Sequence, residues 1–296
     1  MPAPLRSVGV VPGLVLAAVL ALAACTSTPA PPPPPAPMTA PPVPTTAPST
    51  APATTSAAPT AAPAPTTSAR PSTPATTPPA TRGRVVVLDP GHNGGNAGAP
   101  ATINRQVPDG RGGTKACNTT GTETDAGYPE HAFTLDVARR VAKRLTAAGV
   151  RVLLTRDGDS GVGPCVDVRG GAGERAGADA VVSIHADGAA PGGRGFHVAY
   201  ADPPLNAAQR GPAKTLAGDL RDQLARAGFP RSTYIGRNGL SPRTDLAGLN
   251  LATRPSVLVE CANMRNAGEA ALVSSAAGRD RYAAAIADGI LRFLGS

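Results

Sequence analysis

Tryptophan is absent, and Tyr and Phe number four each in 296 residues. So few aromatics leave no obvious sugar-stacking or wall-binding module, which would present exposed ring faces. Charged residues make up only 16% of the chain, and its net charge of +8 is reached without basic clusters. From residue 84 onward there are 25 basic and 20 acidic residues. That surplus gives mild attraction to anionic polymers and excludes a nucleic-acid binder. None of the four cysteines forms a CxxC pair, which removes a clustered-thiolate metal site. Also missing are an HExxH zinc motif, an internal repeat, and any acidic residue before Asp89. Proline, by contrast, is abundant and localised: residues 26–82 hold 19 of the 34 prolines, with Arg70 and Arg82 as the only charges. All eight Tyr and Phe lie beyond residue 127, so the last two-thirds must supply the packed core, a length that suits one domain.

The first 24 residues have the form of an export leader. Arg6 supplies the positive start, and VGVVPGLVLAAVLALAA is an apolar run ending at Leu22-Ala23-Ala24-Cys25. That ending resembles the lipobox of bacterial lipoproteins, which implies cleavage before Cys25 and acylation of its thiol. An ordinary secretory leader or a retained helix are the alternatives. The run is short against the ~20 apolar residues that span a bilayer, and Pro12 interrupts it. Residues 25–83 are almost wholly Pro, Ala, Thr and Ser, a composition that cannot bury enough apolar surface to offset chain entropy. They are expected to be a disordered linker of polyproline II character, reaching at most roughly 180 Å at about 3.1 Å per residue. The expectation is an exported protein held on the outer face of the cytoplasmic membrane by a lipid on Cys25, its folded head spaced away from the surface.

Residues 84–296 read as one α/β domain. RVVVLD (84–89), VRVLLT (150–155), AVVSIH (180–185), GFHVAY (195–200) and SVLVE (256–260) are strand-like runs. A helix is expected from Glu130 to about Ala148, with Phe133, Val137, Val141 and Leu145 as its apolar stripe, and others over 207–227 and 278–294. Alternation of strands and helices predicts a mostly parallel, twisted sheet flanked by helices. Three polar residues fall at strand ends: His92 just past RVVVLD, His185 ending AVVSIH, and Glu260 ending SVLVE. In open α/β sheets, sites gather at the carboxyl ends of strands. Glu130 lies seven residues before Val137, on the apolar face of its helix, where a carboxylate is costly unless paired. Two imidazoles and a carboxylate would make a catalytic zinc shell with one open position. A second carboxylate could then move the proton. Equally, the histidines could bond backbone at strand ends, with Glu130 complementing the helix dipole.

DPGHNGG (89–95), the helix opened by Glu130, LLTRDGD (153–159), Arg169, RAGADAVVSIHAD (175–187) and PSVLVECANMRN (255–266) occur in an order that resembles the zinc-dependent N-acetylmuramoyl-L-alanine amidases of the bacterial cell wall, the amidase 3 family. The resemblance covers about Arg84 to the C-terminus. It implies one zinc ion per domain held by His92, Glu130 and His185, with Glu260 as the catalytic glutamate. It further implies hydrolysis of the amide between N-acetylmuramic acid and the L-alanine of the stem peptide, with peptidoglycan or its muropeptide fragments as substrate. Asp187 departs from the Asn common in the family and leaves the ligand set untouched. A stem-peptide metallopeptidase and a non-catalytic wall-binding lipoprotein of the same fold are the competing readings; a monomer is expected in each.

Of the other polar residues, His131 is expected at the cleft rim and His197 as filler. Arg156 and Arg169 are read as ion-pair partners, Arg237 and Arg243 as solvated surface. In an exported protein Cys117 and Cys165, both in Gly-rich loops, are expected to form a disulfide that pins the long segment 93–128. Cys261, after a buried strand, is expected as a free thiol.

Overall fold

Five short runs of β-branched and small apolar residues set the architecture, because each is too apolar to lie anywhere but inside a sheet covered by helices. The computed structural model describes residues 83–295; the leader, Cys25 and nearly all of the linker lie outside the described residues. The chain enters through β1 (Val85–Pro90). After a short turn of 3-10 helix come α1 (Pro100–Ile103) and an antiparallel hairpin of β2 (Gln106–Pro108) and β3 (Thr114–Ala116). Next are α2 (Glu130–Ala147), β4 (Arg151–Leu154), α3 (Val166–Gly170), α4 (Ala172–Ala176) and β5 (Ala180–Asp187). The second half holds β6 (His197–Ala201), α5 (Ala207–Arg210), α6 (Pro212–Arg226), β7 (Leu240–Arg243) and α7 (Ala247–Asn250). It closes with β8 (Ser256–Asn263), α8 (Ala267–Ser274) and α9 (Ala276–Gly295).

The main sheet has the order β4-β1-β5-β8-β6-β7. Every neighbouring pair is parallel except β6 with β8. The mostly parallel α/β sheet expected from the sequence is therefore the fold. Because side chains alternate along a strand, Val86, Leu88, Val182, Ile184, Val257 and Val259 all enter one core. α2, α6 and α9 close that face with Phe133, Leu216, Leu220, Tyr282 and Ile286. Asp89, Ser183, His185 and Glu260 take the alternate positions and floor a cavity on the other face. The fold thus separates a dry side that stabilises it from a polar side available for chemistry.

Two elements depart from the sequence reading. The helix expected over 207–227 is two helices, because Pro212 lacks an N–H and its ring crowds the preceding turn, so α5 ends after one turn. β7 falls in a stretch expected to be loop. Its sequence LSPR includes Pro242, tolerated because β7 is the sheet's edge strand. The segment 93–128 is pinned as expected: a disulfide joins Cys117, just after β3, to Cys165, which caps α3, and Cys261 is free and buried. Among the described residues no helix is long and apolar enough to cross a membrane. Because the bond spans 48 residues, replacing both partners by Ser is expected to cost about 4 kcal/mol in the chain-entropy model. Urea unfolding of oxidised protein checks this, and an unchanged midpoint would contradict it.

Candidate metal centre

At the end of β1 the chain turns sharply through Gly91 and His92, and His92 takes φ of 57°, a left-handed conformation uncommon outside glycine. Two buried guanidinium groups hold this turn. Arg169 donates to the carbonyls of Pro90 (2.7 Å) and His92 (2.9 Å). Arg156 donates to those of Pro90 (3.1 Å) and Gly91 (3.0 Å). Each also meets the ion-pair expectation: Arg169 with Asp89 at 2.6 Å, Arg156 with Asp159 at 3.0 Å. Burial alone would raise the Asp89 carboxyl, but Arg169, with hydroxyl donors from Thr155 and Ser183, outweighs it and holds that group below its ordinary range. Desolvation lowers Arg156 to about 10, which still leaves it charged at neutral pH.

Glu130 opens α2 and is 4% exposed. Its Oε1 accepts from the backbone N–H of Ala186 (3.1 Å) and lies 3.0 Å from His185 Nδ1. Its Oε2 accepts from the backbone N–H of Thr122 (3.0 Å) and lies 3.1 Å from His92 Nε2. The candidate ligand atoms of His92, Glu130 and His185 all lie within 4.8 Å of one another. On the far side of its ring, His92 Nδ1 sits 3.1 Å from the carbonyl of Thr119, which can only accept, so the proton belongs on Nδ1. A neutral His92 therefore aims a lone pair at a carboxylate oxygen. Two acceptors that close require a cation between them, either a proton or a metal ion. In the metal-free protein burial works against a proton there, but the Glu130 charge outweighs it and raises the His92 imidazole. For Glu130 too, burial acts upward, and the two imidazoles outweigh it and hold the carboxylate ionised. Two imidazole nitrogens and one carboxylate oxygen are a donor set that suits zinc.

Glycine makes the convergence possible. A Cβ on Gly91 would stand 2.2 Å from His185 Cε1, and one on Gly121 would stand 2.9 Å from Glu130 Oε2. The imidazole and the carboxylate pack against bare backbone.

Glu260 pairs in register with His185 on β5 and with His197 on β6, at the middle of the site's floor. Its Oε2 is buried without a hydrogen-bond partner. Burial, then the charges of Glu130 and Asp187, push this carboxyl well above its ordinary range, against the pull of Arg243. All four residues singled out from the sequence line one cavity of about 480 Å³, together with Ser183 and Leu249. His131 stands apart from the cluster, 2.7 Å from Asp159. His197 is 1% exposed, and burial lowers its imidazole to about 4. Arg237 is exposed as expected. Arg243, expected as solvated surface, is instead a half-buried side chain on β7 that pairs with Asp245 at 2.5 Å and whose charge acts on Glu260. The sequence reading also missed Thr119, Thr122 and Ala186. They act through backbone groups, and only the glycine at position 121 beside Thr122 hinted at a tight approach there.

An open, mostly parallel sheet with a His–Glu–His cluster that could hold a metal ion, and a free carboxyl at its carboxyl edge, is a candidate hydrolase site. The chain belongs to the N-acetylmuramoyl-L-alanine amidase family, whose family pattern matches residues 86–292. It is 52% identical over 212 residues to the N-acetylmuramoyl-L-alanine amidase Rv3717 of Mycobacterium tuberculosis, spanning 72% of this chain and 87% of that protein. The crystal structure of the amidase Ami1 from Mycobacterium smegmatis is similar, with a TM-score of 0.71 and 57% identity over 73% of this chain and 98% of that one. So is the apo form of Ami1 from Mycobacterium abscessus, with a TM-score of 0.70 and 53% identity over 72% of this chain and 99% of that one.

Two outcomes are expected. Gly91→Ala, which forces the His185 ring aside, lowers zinc affinity about 10–100-fold in a competition titration against a chromophoric chelator; unaltered affinity would contradict it. Arg169→Met leaves Asp89 buried without its partner and costs about 3–5 kcal/mol at pH 7. The depressed native Asp89 carboxyl stabilises the fold above the unfolded value of about 3.9, and loses that contribution as pH falls through the native value. The cost of the substitution therefore shrinks in urea titrations carried out below pH 4; a cost that stays constant or grows would contradict it.

Proposed function

We propose that this chain is a zinc-dependent amidase that cleaves between the lactyl group of N-acetylmuramic acid and the L-alanine of the stem peptide, acting on peptidoglycan or its fragments. The observation that carries this reading is the approach of the candidate ligand atoms of His92, Glu130 and His185 to within 4.8 Å of one another, beside a Glu260 whose buried Oε2 no protein group satisfies. His92, Glu130 and His185 are the proposed ligands. Zinc, when bound, supplies Lewis acidity that makes water nucleophilic near neutral pH and polarises the scissile carbonyl.

The rest is done by side chains and backbone. The Thr119 carbonyl keeps the His92 proton on Nδ1, so that Nε2 stays available as a donor of its lone pair. Backbone N–H groups of Thr122 and Ala186 hold Glu130 ionised and fixed in direction. Glu260 takes the proton from the attacking water and returns it to the alanine nitrogen, without which the amine is a poor leaving group. Burial and the neighbouring charges raise its carboxyl above the ordinary range, the direction that favours returning a proton to the leaving amine.

All four side chains are present and line one cavity, which favours an enzyme over a non-catalytic wall-binding relative. A stem-peptide metallopeptidase would use the same groups on a different bond, and mass analysis of digested muropeptides separates the two: the amidase frees an intact peptide from the sugar. The reading extends to an exported protein with a leader over residues 1–24, a lipid anchor on Cys25, a linker over 25–83 and a monomeric catalytic domain over 84–296. The leader and linker composition supports this.

Glu260→Gln is expected to retain one zinc and lose about 10²–10⁴-fold in turnover, whereas His92→Ala loses both zinc and turnover. Metal analysis beside hydrolysis of a defined muramoyl peptide, with and without a chelator, checks this. Wild-type turnover in the Glu260 variant would remove its assignment.

A further inference from the structure

Two side chains that line the cavity around the candidate metal cluster are permanently cationic, Lys115 and Arg169. Arg169 has no donor left for a ligand. Its Nε donates to the carbonyl of Pro164, its Nη1 to Asp89 and the carbonyl of Pro90, and its Nη2 to the carbonyls of His92 and Gly163. Lys115 is different. An ammonium carries three donors, and this one makes a single bond, 2.7 Å from Nζ to the backbone carbonyl of Asp245. No carboxylate among the described residues forms an ion pair with it. Two aspartates stand in its field, and each has its own partners. Asp109 accepts from the backbone N–H groups of Arg111 (2.7 Å) and Gly113 (2.9 Å), and Asp245 takes two donors of Arg243. Those donors, ahead of Lys115, hold both carboxyls below their ordinary range. The charge of Lys115 is therefore half-buried on a cavity wall and unneutralised.

The position of Lys115 is built by its surroundings. It pairs with Val107 in the β2–β3 hairpin. At the hairpin turn Arg111 Nε donates to Asn250 Oδ1 (3.0 Å), and Asn250 Nδ2 donates back to the carbonyl of Asp109 (2.9 Å). Two residues beyond Lys115 the disulfide fixes Cys117. Thr119, whose carbonyl orients His92, follows Lys115 by four residues, so their Cα atoms are at most about 14 Å apart. That is within the reach of a short peptide whose first amide lies at the metal cluster. Asp187 and Glu260 line the same cavity and repel an anion, whereas Lys115 attracts one.

We propose that Lys115 determines specificity by binding a free carboxylate of the stem peptide while the muramoyl–alanine amide lies at the metal cluster. The inference rests on the amidase reading and names a feature of the substrate that reading leaves open. Lys115 takes no part in bond cleavage. Its contact is the same before and during the reaction, so it acts through KM and leaves kcat unchanged.

The test compares two muramoyl-L-alanyl tripeptides that differ only in whether the carboxylates beyond the alanine are free or amidated, with zinc-loaded full-length protein. Wild type is expected to favour the free acid about tenfold in kcat/KM, the size of one hydrogen bond to a charged group. Lys115→Met loses about tenfold on the acid through KM, stays within about twofold on the amide, and keeps one zinc. Lys115→Arg restores most of the preference. Calorimetric binding of the corresponding L-alanyl peptides, acid and amide, repeats the comparison without turnover, with the acid tighter in wild type and the two equal in Lys115→Met. Equal kcat/KM for acid and amide in wild type, a preference that survives in Lys115→Met, or an equal loss on both substrates in that variant would each overturn the proposal. Wild type that cuts neither substrate yet binds the acid peptide more tightly would overturn the amidase reading and leave the carboxylate site standing.

Discussion

The carboxylate of Glu130 is the group on which the site depends. It is buried at the first turn of α2, where an isolated charge would be prohibitive. It is tolerable because the backbone N–H groups of Thr122 and Ala186 donate to its two oxygens and the rings of His92 and His185 close on them. Those groups come from the loop before α2, from β5 and from the end of β1. One charge therefore fixes the mutual position of three distant parts of the chain. Remove it and the imidazoles lose the group that brings them together. Keep it, and the lone pair of His92 must be shared with a cation.

The fold supplies that charge with a rigid frame. Apolar residues on alternate positions of β1, β5 and β8 bind the sheet to α2, α6 and α9, and the remaining positions are left for polar side chains. Arg156 and Arg169 then fasten the turn after β1, forcing His92 into a left-handed conformation that its own preference would not choose. Strain of this kind persists only where the surroundings over-determine it, and here two guanidinium groups and an aspartate do so. The disulfide between Cys117 and Cys165 secures the same neighbourhood, since the loop after Cys117 carries Thr119, Gly121 and Thr122. The other half of the floor has a different character. Glu260 Oε2, in contrast to the fully bonded Glu130, lies without a partner in the same cavity.

Much of this was legible in the sequence. His92, His185 and Glu260 announced themselves as polar residues ending apolar runs, and Glu130 as a carboxylate on the apolar face of a helix. Resemblance to a family then joined the four, which spacing alone did not. What escaped notice was of two kinds. β7 lacked the alternation of a strand and carries a proline, so its membership rests on pairing with β6, a long-range fact. With it escaped the position of Arg243. The backbone donors and acceptors at Thr119, Thr122 and Ala186 leave no residue-type signature, because any side chain carries the same N–H and carbonyl. The break between α5 and α6 was available in Gly211-Pro212 and was overridden by the apolar pattern on either side.

Zinc-edge X-ray absorption of the loaded protein tests the central claim most directly, because it reports the atoms around the ion. The account requires two imidazole nitrogens and a carboxylate oxygen at about 2.0–2.2 Å, and a changed first shell in Glu130→Gln. A sulfur-containing shell, or a spectrum indifferent to that substitution, would contradict it.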